Sequence, residues 1–387
     1  VSLRVDKFLL QQGMCRHKSI KSWLLRMVKY DRPLIANFFN HRLQEVYPSK
    51  WAIIKDLCFG RSVKFRMWFI PYSLMLWLSG TAGKVLTKTK KIFEKRRDPF
   101  LLDHFPKVFI SKKWKRKFGY SIDWKHSRDI NEKIQWLLVY SDTSEWTRLA
   151  DKYKVREYVK EKGLENLLVP LYGAWETTEE IDFDRLPDRF VIKCNHDYGS
   201  TIIVDKNDIY YNRKAICEKL DKCLKRGFDY NGELHYRGIP RKIIAERYLE
   251  MSDSEKALSS SIIDYKVWCF NGKPCFIITM YNRTKDSLFH EVYDLNWNAH
   301  PEYLVPTSHC RIENDKIPKP KSFSEMMEAA SILSKGFPEV RVDFYEIDGR
   351  LFFGEMTFTS GEGMMMQYTP EYRKILGDLV ILPKRKR

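Results

Sequence analysis

The sequence contains no apolar run of the roughly 18 residues that a membrane-spanning helix needs. It also lacks a basic segment followed by an apolar stretch and a small-residue cleavage site, the pattern of a secretory signal. Its eight cysteines include no Cys-x-x-Cys pair and no histidine spacing that builds a zinc site. No Gly-x-x-x-x-Gly-Lys phosphate loop occurs. We therefore expect a cytoplasmic protein with reduced thiols, no zinc site and no Walker-type loop.

The composition predicts a folded protein that attracts polyanions. Of 387 residues, 44% are hydrophobic and 14% aromatic, enough for a substantial core. Lysine and arginine number 68 against 50 aspartate and glutamate, a formal net charge of +18. Such a charge favours nucleotides, acidic glycans, nucleic acid or anionic lipid as partners. Charge alone does not choose among them.

Residues 1–98 form a basic segment that we interpret as a helical N-terminal extension. An apolar stretch at 67–78 is too short to span a bilayer and is flanked by lysines and arginines. This arrangement is typical of an apolar patch at an anionic membrane surface, so residues 60–98 are candidates for peripheral contact with the inner face of the membrane. A buried helix in a small helical subdomain explains the same pattern equally well.

Residues 99–387 alternate helix and strand signals, which predicts an α+β (α/β-type) fold. Helical periodicity covers 151–162, with Gly163 as its stop. Strands are predicted at 190–193, 201–204, 242–246, 265–270, 274–280, 340–347 and 350–355. The dipeptides Asn271-Gly272 and Asp348-Gly349 predict hairpin turns between neighbouring strands of this set.

The second hairpin contains residues that suit a cation. Alternation along its first strand places Arg341, Asp343 and Tyr345 on one face, and Glu355 and Thr357 share a face on the partner strand. Two carboxylates on facing strands are able to share a magnesium ion together with substrate phosphates. An ordinary surface salt bridge is the alternative interpretation of such a pair.

Two further segments suit a nucleotide. Lys193 ends a predicted strand and precedes a polar turn, where its ammonium group and the turn's N–H groups could meet phosphate oxygens. The segment 243–250 is a strand that runs into a bend and could read the edge of adenine, with a carboxylate on the ribose. Taken singly, both are also ordinary half-buried strands.

In their order along the chain, these segments resemble the ATP-grasp superfamily, specifically the TupA-like branch of teichuronopeptide biosynthesis. The resemblance covers about residues 100–385. The matching segments are 131–136, 150–159, 186–187, 193–196, 244–246, 264–266, 269–274, 341–345 and 353–357.

The resemblance implies an ATP-grasp fold with two α+β subdomains that enclose ATP, and Mg²⁺ as the metal. The ATP contacts that it implies are Lys152, Lys193, Asn195, His196, Gly199, Ser200, Glu246, Tyr248, Leu249 and Lys266. Residues 246–249 would form the adenine-binding bend. Asp343 and Glu355 match the metal ligands, and Thr357 stands where many ATP-grasp enzymes have asparagine.

The resemblance also implies a reaction, in which Arg341 and Lys266 act on the transferred phosphate. A carboxylate is phosphorylated to an acylphosphate, and an amine then displaces phosphate to form an amide. For this branch the implied partners are a uronic acid carboxylate of a surface or capsular polysaccharide and an amino acid or amine donor. His196 is a candidate base, although a hydrogen-bonding role suits a lone histidine better.

One turn departs from the branch. Its usual sequence is Asn-His-Gly-Ser-Gly, whereas this chain has Asn195-His196-Asp197-Tyr198-Gly199. An acidic side chain beside a triphosphate opposes its binding, and a lost glycine restricts close approach of the backbone. This departure predicts weaker ATP binding or a scaffold that keeps the fold without full activity.

Two other classes of function are less well supported. Asp182-Phe183-Asp184 resembles the Asp-x-Asp metal site of glycosyltransferases, but it lies in a predicted loop that the branch uses as a connector. The basic residues are dispersed and no aromatic ribonucleoprotein motif occurs, so nucleic acid is not an expected partner.

Overall fold

The computed structural model of the protein describes residues 100–226 and 232–385. Its helices after residue 104 are α1 (Pro106–Phe118), α2 (Ile130–Tyr140), α3 (Ser144–Ala150), α4 (Val155–Glu161), α5 (Arg213–Leu224), α6 (Asp253–Leu258), α7 (Phe323–Ser334) and α8 (Pro370–Leu379). Its strands are β1 (Leu171–Trp175), β2 (Arg189–Cys194), β3 (Ile202–Asp205), β4 (Ile243–Arg247), β5 (Asp264–Phe270), β6 (Lys273–Tyr281), β7 (Leu288–Tyr293), β8 (Cys310–Ile312), β9 (Glu339–Ile347) and β10 (Arg350–Thr357).

The larger sheet has six strands in the order β10-β9-β5-β6-β7-β8, antiparallel except for the β7–β8 pair. Two of its connections are the tight turns predicted from the sequence. Asn271 and Gly272 have φ angles of 51° and 78°, and Asp348 and Gly349 have 50° and 75°. A two-residue hairpin turn that matches the right-handed twist of its strands requires positive φ at both central residues. Both predicted hairpins are therefore confirmed.

The smaller sheet has four antiparallel strands in the order β1-β4-β2-β3. Helix α5 covers one face, with Leu220 buried against the sheet and its carbonyl close to the Cys194 thiol. The apolar core beneath it includes Phe190, Ile192 and Ile243, all fully buried. Strand β4 is buried along almost its whole length, whereas burial alternates along β2.

Helix α7 covers one face of the larger sheet and leaves the other face for polar side chains. Met326, Ala330 and Leu333 of α7 are fully buried against the sheet, and the Cys269 thiol reaches the Ala330 carbonyl. Alternation then directs Lys266 and its same-face neighbours away from α7. The strands thus carry an apolar core on one side and the candidate site on the other.

The mixed α+β class predicted from the sequence is confirmed, with one correction to a helix. Residues 151–154 form turns, and α4 begins only at Val155 because the Asp151 carboxylate accepts hydrogen bonds from the N–H groups of Tyr153 and Lys154. Gly163 ends the segment with φ of 75°, as predicted. The proposed extension at 1–98 and its membrane contact at 60–98 lie outside the described residues. In the described part of the chain, no helix is long and apolar enough to cross a membrane.

Candidate active site

A row of charged side chains crosses three strands of the larger sheet. Lys266 of β5 lies opposite Asp343 of β9, which in turn lies opposite Glu355 of β10. Arg341 and Thr357 form the neighbouring β9–β10 pair on the same face. Residues directly opposite in antiparallel strands have Cβ atoms about 4.5–5.5 Å apart, so these groups interact directly. The facing arrangement of Asp343 and Glu355 predicted from the sequence is confirmed.

A β-bulge at Gly354 makes this arrangement possible. Phe353 pairs with Phe344 and Glu355 pairs with Asp343, so Gly354 is an extra residue in β10. Without a bulge, Phe353 and Glu355 would share a face; the extra residue turns Glu355 to the face of Asp343. A Cβ atom at Gly354 would lie 3.0 Å from the Asp343 carbonyl oxygen, which explains the glycine.

Asp343 is the buried centre of the row, with a side chain only 1% exposed. Arg341 donates to it from Nε at 2.7 Å and from Nη2 at 2.8 Å, and the Lys266 ammonium group contacts Oδ2. Arg341 is also held by Ser360 Oγ and Thr357 Oγ1, each at 3.1 Å. A buried charge needs such partners, since removal from water is costly.

Glu355 is the accessible carboxylate of the row, with a side chain 37% exposed. The hydroxyl group of Thr357 donates to Oε1 at 3.2 Å. Burial acts to raise the pKa of Glu355, but the positive charges of Lys152, Lys266 and Arg341 outweigh it and lower the pKa to about 2. The carboxylate is therefore ionised at any physiological pH.

A second charged group faces this row from the smaller sheet. Glu246 lies between Lys193, whose Nζ is 2.6 Å from Oε2, and Arg156, whose Nη1 is 3.2 Å from Oε1. Lys152 reaches towards Glu355, with 3.7 Å between Nζ and Oε2. These cations line a narrow pocket between the sheets, together with Val169, Glu246, Tyr345, Phe353 and Gly354. A pocket lined by two lysines and an arginine suits a polyphosphate.

The predicted adenine-binding bend lies beside this pocket. Leu249 is buried in a small apolar cluster with Val169 and Phe352. Tyr248 is half-buried, and the guanidinium group of Arg189 lies 4.3 Å from its ring centroid. The bend thus places an apolar surface next to the polar end of a strand. Pockets for ligands such as a purine base combine apolar and polar groups in this way. Its role in binding adenine stays a prediction.

In the turn whose sequence differs from that of the branch, the acidic side chain is buried. Asp197 is 3% exposed, and its carboxylate accepts hydrogen bonds from the Ser200 hydroxyl and, at 3.3 Å, from the Ser200 N–H group. Its carbonyl oxygen accepts a 2.6 Å hydrogen bond from Lys152. The carboxylate thus stabilises the turn from within. The aspartate that replaces glycine is therefore buried and bonded to Ser200, and it is not among the residues that line the pocket.

Asn195 and His196 are buried supports of this turn. The Asn195 amide donates to Asp151 at 2.7 Å and to the Pro240 carbonyl at 2.9 Å, and its oxygen accepts from the N–H group of Lys242. His196 is 2% exposed and lies 3.3 Å from the Arg226 carbonyl. Burial lowers the pKa of His196, which favours the neutral imidazole. In this state both side chains fix the turn's backbone.

Gly199 allows a test of the turn that separates ligand contact from stability. Its φ angle is not positive, and an added Cβ atom would meet no atom within 4 Å. We expect Gly199→Ala to leave the melting temperature of the free protein within about 1 °C, as surface substitutions usually do. Its affinity for Mg-ATP should fall severalfold, because the methyl group occupies space above the turn. Equal affinities in a calorimetric titration would exclude close approach of phosphate at this turn.

Several residues of the site were not identified from the sequence. The segment after β10 contains three successive residues with positive φ, namely Gly361, Glu362 and Gly363. Gln135 of α2 donates to the carbonyl groups of Glu362 and Gly363, and Asn131, one turn earlier, bonds both the N–H and the carbonyl of Met365. The spacing of four residues places both amide side chains on one face of the helix. Their role could not be recognised from the sequence, because the segment that they bind lies far along the chain.

The donor set fits a magnesium ion shared with a nucleotide. No group of three or more His, Cys, Asp or Glu side chains forms a metal site in the described ranges 100–226 and 232–385. Asp343, Glu355 and Thr357 instead present two carboxylates and a hydroxyl group on one face, all hard oxygen donors. Mg²⁺ is typically held by one or two carboxylates with phosphates and water completing its shell. Metal binding at these three residues stays a prediction.

The Asp-x-Asp motif lies on the surface and is used in ion pairs. The side chains of Asp182 and Asp184 are 55% and 75% exposed, and they pair with Arg185 and Arg213 respectively. Residues 183–185 form a short 3₁₀ turn in the connection between β1 and β2. These contacts agree with the prediction that the segment is a connector.

The fold and site define an ATP-grasp enzyme, a class that binds ATP between two α+β subdomains. The family model of the TupA-like ATP-grasp proteins matches residues 132–381. The chain belongs to this family, as its sequence motifs predicted. It is therefore an ATP-grasp enzyme.

The fold is similar to that of solved ATP-grasp ligases at low sequence identity. D-alanine–D-alanine ligase from Bacillus anthracis in complex with ATP is 15% identical over 66% of this chain and 73% of that chain, with a TM-score of 0.38. L-amino acid ligase from Bacillus licheniformis is 13% identical over 66% of this chain and 55% of that chain, with a TM-score of 0.37. A comparison with curated proteins found no match.

Proposed function

We propose that the protein uses Mg-ATP to join the carboxylate of a uronic acid in a bacterial surface or capsular polysaccharide to an amino acid or another amine. The observation that carries the proposal is the row Lys266–Asp343–Glu355 with Arg341 beside it, facing Lys152 and Lys193 across the pocket. Three cations line this pocket, namely Lys152, Arg156 and Lys193. These three, and Lys266 and Arg341 of the row, each have a carboxylate within 4 Å. Such paired cations are in place for a phosphoryl group before it arrives.

In the first step we expect Lys266 and Arg341 to stabilise the phosphoryl group during transfer. An oxygen of the substrate carboxylate forms a bond to the terminal phosphorus atom of ATP, the bond to ADP breaks, and an acylphosphate results. Preorganised cations accelerate such a transfer because they need no reorganisation as charge develops. Arg341 is suited to this role because Asp343, Thr357 and Ser360 fix the plane of its guanidinium group.

In the second step the amine nitrogen forms a bond to the acyl carbon atom and the phosphate group leaves. The nitrogen loses a proton to the solvent or to a base. The same cations then stabilise the departing phosphate. His196 is buried, its Nε2 atom lies 3.3 Å from the Arg226 carbonyl, and burial lowers its pKa, which favours a supporting role over that of the base.

Asp343, Glu355 and Thr357 are the residues that would hold Mg²⁺, which supplies charge neutralisation at the phosphate oxygens. The low pKa of Glu355 supports this role, because the carboxylate needs no deprotonation before it binds a cation. An acidic glycan as acceptor is supported by the net charge of +18, which attracts a polymer of uronic acids from solution.

The nucleotide site can be tested through thermal stability with Mg-ATP. At 100 times its dissociation constant, Mg-ATP should add about 2.7 kcal/mol to the free energy of unfolding of the wild type. Glu355→Ala should lose most of this gain while the free protein keeps its fold, because this side chain is partly exposed. Glu328→Ala is the matched control, since Glu328 is exposed on α7 at the opposite face of the sheet.

The ligase reaction can be tested with hydroxylamine as a general amine. The wild type with Mg-ATP and galacturonate or polygalacturonate should release ADP and form a hydroxamate, whereas Glu355→Ala should form neither. Mg-ATP stabilisation without hydroxamate from any uronic acid would exclude uronic acids as the carboxylate. No stabilisation at millimolar Mg-ATP would refute the proposal and identify the chain as a scaffold of this fold.

A further inference from the structure

Helix α1 is strongly basic. Its 13 residues include six lysines and arginines and no acidic residue. Phe109, Ile110 and Trp114 form its buried side. Lys112, Lys115 and Arg116 are all exposed and, at spacings of three and four residues, share the opposite side of the helix. These three residues are called the basic face below.

Intramolecular contacts do not account for this face. In the described part of the chain, no acidic side chain lies within 4 Å of the charged groups of Lys112, Lys115 or Arg116. Cations in the last turn favourably oppose the helix dipole, but Lys112 lies before that turn. Like charges at neighbouring positions of an exposed helix repel one another. A bound polyanion would therefore stabilise the positive charges of the basic face, which repel one another on the free helix.

The basic face adjoins the candidate active site. Lys113, next to it on α1, forms an ion pair with Glu362 in the turn that follows β10. In the same turn, Ser360 accepts a 3.1 Å hydrogen bond from Arg341. One short segment thus connects α1 with the residue that we place at the transferred phosphate.

We propose that the basic face of α1 binds the acidic polysaccharide whose carboxylate reacts at the site. This inference rests on the proposed function and adds the surface that recognises the polymer. A polyuronate repeats a carboxylate on each sugar, so several cations on one helix can pair with it at once.

Two other polyanions fit the face less well. Between Lys112 and Arg116 no exposed aromatic side chain is available to stack on a nucleic acid base, and the nearest, Tyr120, follows Arg116 by four residues beyond the end of the helix. The exposed apolar side chains of Phe105 and Val108, which would favour a membrane, lie near the other end of the helix. Val108 is the nearer, about 6 Å along the axis from Lys112. Nucleic acid and anionic lipid are therefore tested as competitors.

The test compares two triple charge reversals in the full chain. The first is Lys112→Glu, Lys115→Glu and Arg116→Glu. The second, a matched control with the same change in net charge, is Lys214→Glu, Lys222→Glu and Lys225→Glu on exposed positions of and just after α5. The probes are polygalacturonate, neutral dextran, phosphatidylglycerol vesicles and a single-stranded oligonucleotide, each titrated by calorimetry or sedimentation at two salt concentrations.

We expect the wild type and the α5 control to bind polygalacturonate with similar affinity, and the α1 variant to bind it about tenfold more weakly or worse. The salt dependence should also decrease in the α1 variant. Equal losses in both variants would show that only net charge matters and would overturn the proposal. A loss confined to vesicles or to the oligonucleotide would overturn it in favour of that partner. Mg-ATP should still raise the thermal stability of the α1 variant. Failure of the nucleotide site would instead remove this effect from the wild type as well, so the two failures are distinguished.

Discussion

Replacement of Asp343 by alanine is expected to lower the free energy of unfolding by about 3–5 kcal/mol, the usual loss when one partner of a buried ion pair is removed. The reason is that Lys266 and Arg341 would both stay buried, with side chains 8% and 13% exposed, and would lose their shared partner. Urea unfolding of the free protein measures this loss. Glu355→Ala should cost much less, since Glu355 is more exposed and its ion pairs are longer, at 3.6 and 3.7 Å.

A second substitution tests the cause of the instability. Lys266→Met in the Asp343→Ala background should recover part of the loss, because it removes a buried cation that would keep only its longer 3.7 Å contact with Asp264. The two substitutions should therefore be strongly non-additive. A loss below about 1 kcal/mol for Asp343→Ala, or simple additivity with Lys266→Met, would contradict the buried ion-pair network.

The second large effect concerns Glu233, a buried carboxyl group that accepts a hydrogen bond from Thr359. Burial is the main cause that raises the pKa of Glu233 to about 7, while the Thr359 hydroxyl acts in the opposite direction. The folded protein therefore holds this proton more tightly than the unfolded chain, where the pKa is near 4.5. The contribution of Glu233 to stability is present below pH 4.5 and is lost as the pH rises to about 7.

Glu233→Gln, which mimics the protonated group, should therefore stabilise the protein in a pH-dependent way. At pH 8 the gain over the wild type should approach about 3 kcal/mol, from 1.36 kcal/mol for each unit of pKa, and it should decrease towards pH 5. Thermal or urea unfolding at both pH values measures the difference. Glu328→Gln on the exposed side of α7 serves as control. A gain that does not change with pH would contradict the raised pKa of Glu233.

Part of this fold could be predicted from local sequence, although strands β1, β7 and β8 and most of the helices were not. The strands around both hairpin turns were located to within one or two residues at most ends, because turn dipeptides and β-branched runs are local signals. The charged residues of β9 were also assigned to one face correctly, since alternation has a fixed period of two. Helix α4 was placed too early because the Asp151 carboxylate bonds the following N–H groups and delays the helix.

The geometry of the site depends on contacts between distant segments and was therefore harder to predict from the sequence than the strands were. Alternation alone does not reveal that Gly354 is a bulge, yet the bulge decides whether Glu355 faces Asp343. The direction of the Asp197 carboxylate was likewise not predictable, because its partner Ser200 is visible only in the folded turn. Arg156 was not singled out because its partner Glu246 lies 90 positions later in the chain. Long-range pairing, rather than residue type, accounts for these differences.

The ion pairs of the active site also determine how it responds to dissolved salt. In the nucleotide-free protein, Asp343 and Glu246 already act as counterions for the cations around them. On the proposed function, an entering triphosphate exchanges places with these carboxylates, so few ions from solution are displaced. Binding along the basic face of α1 would instead displace mobile ions directly and weaken steeply as ionic strength rises. On these two proposals, one molecule would combine a salt-tolerant site for the nucleotide with a salt-sensitive surface for the polymer.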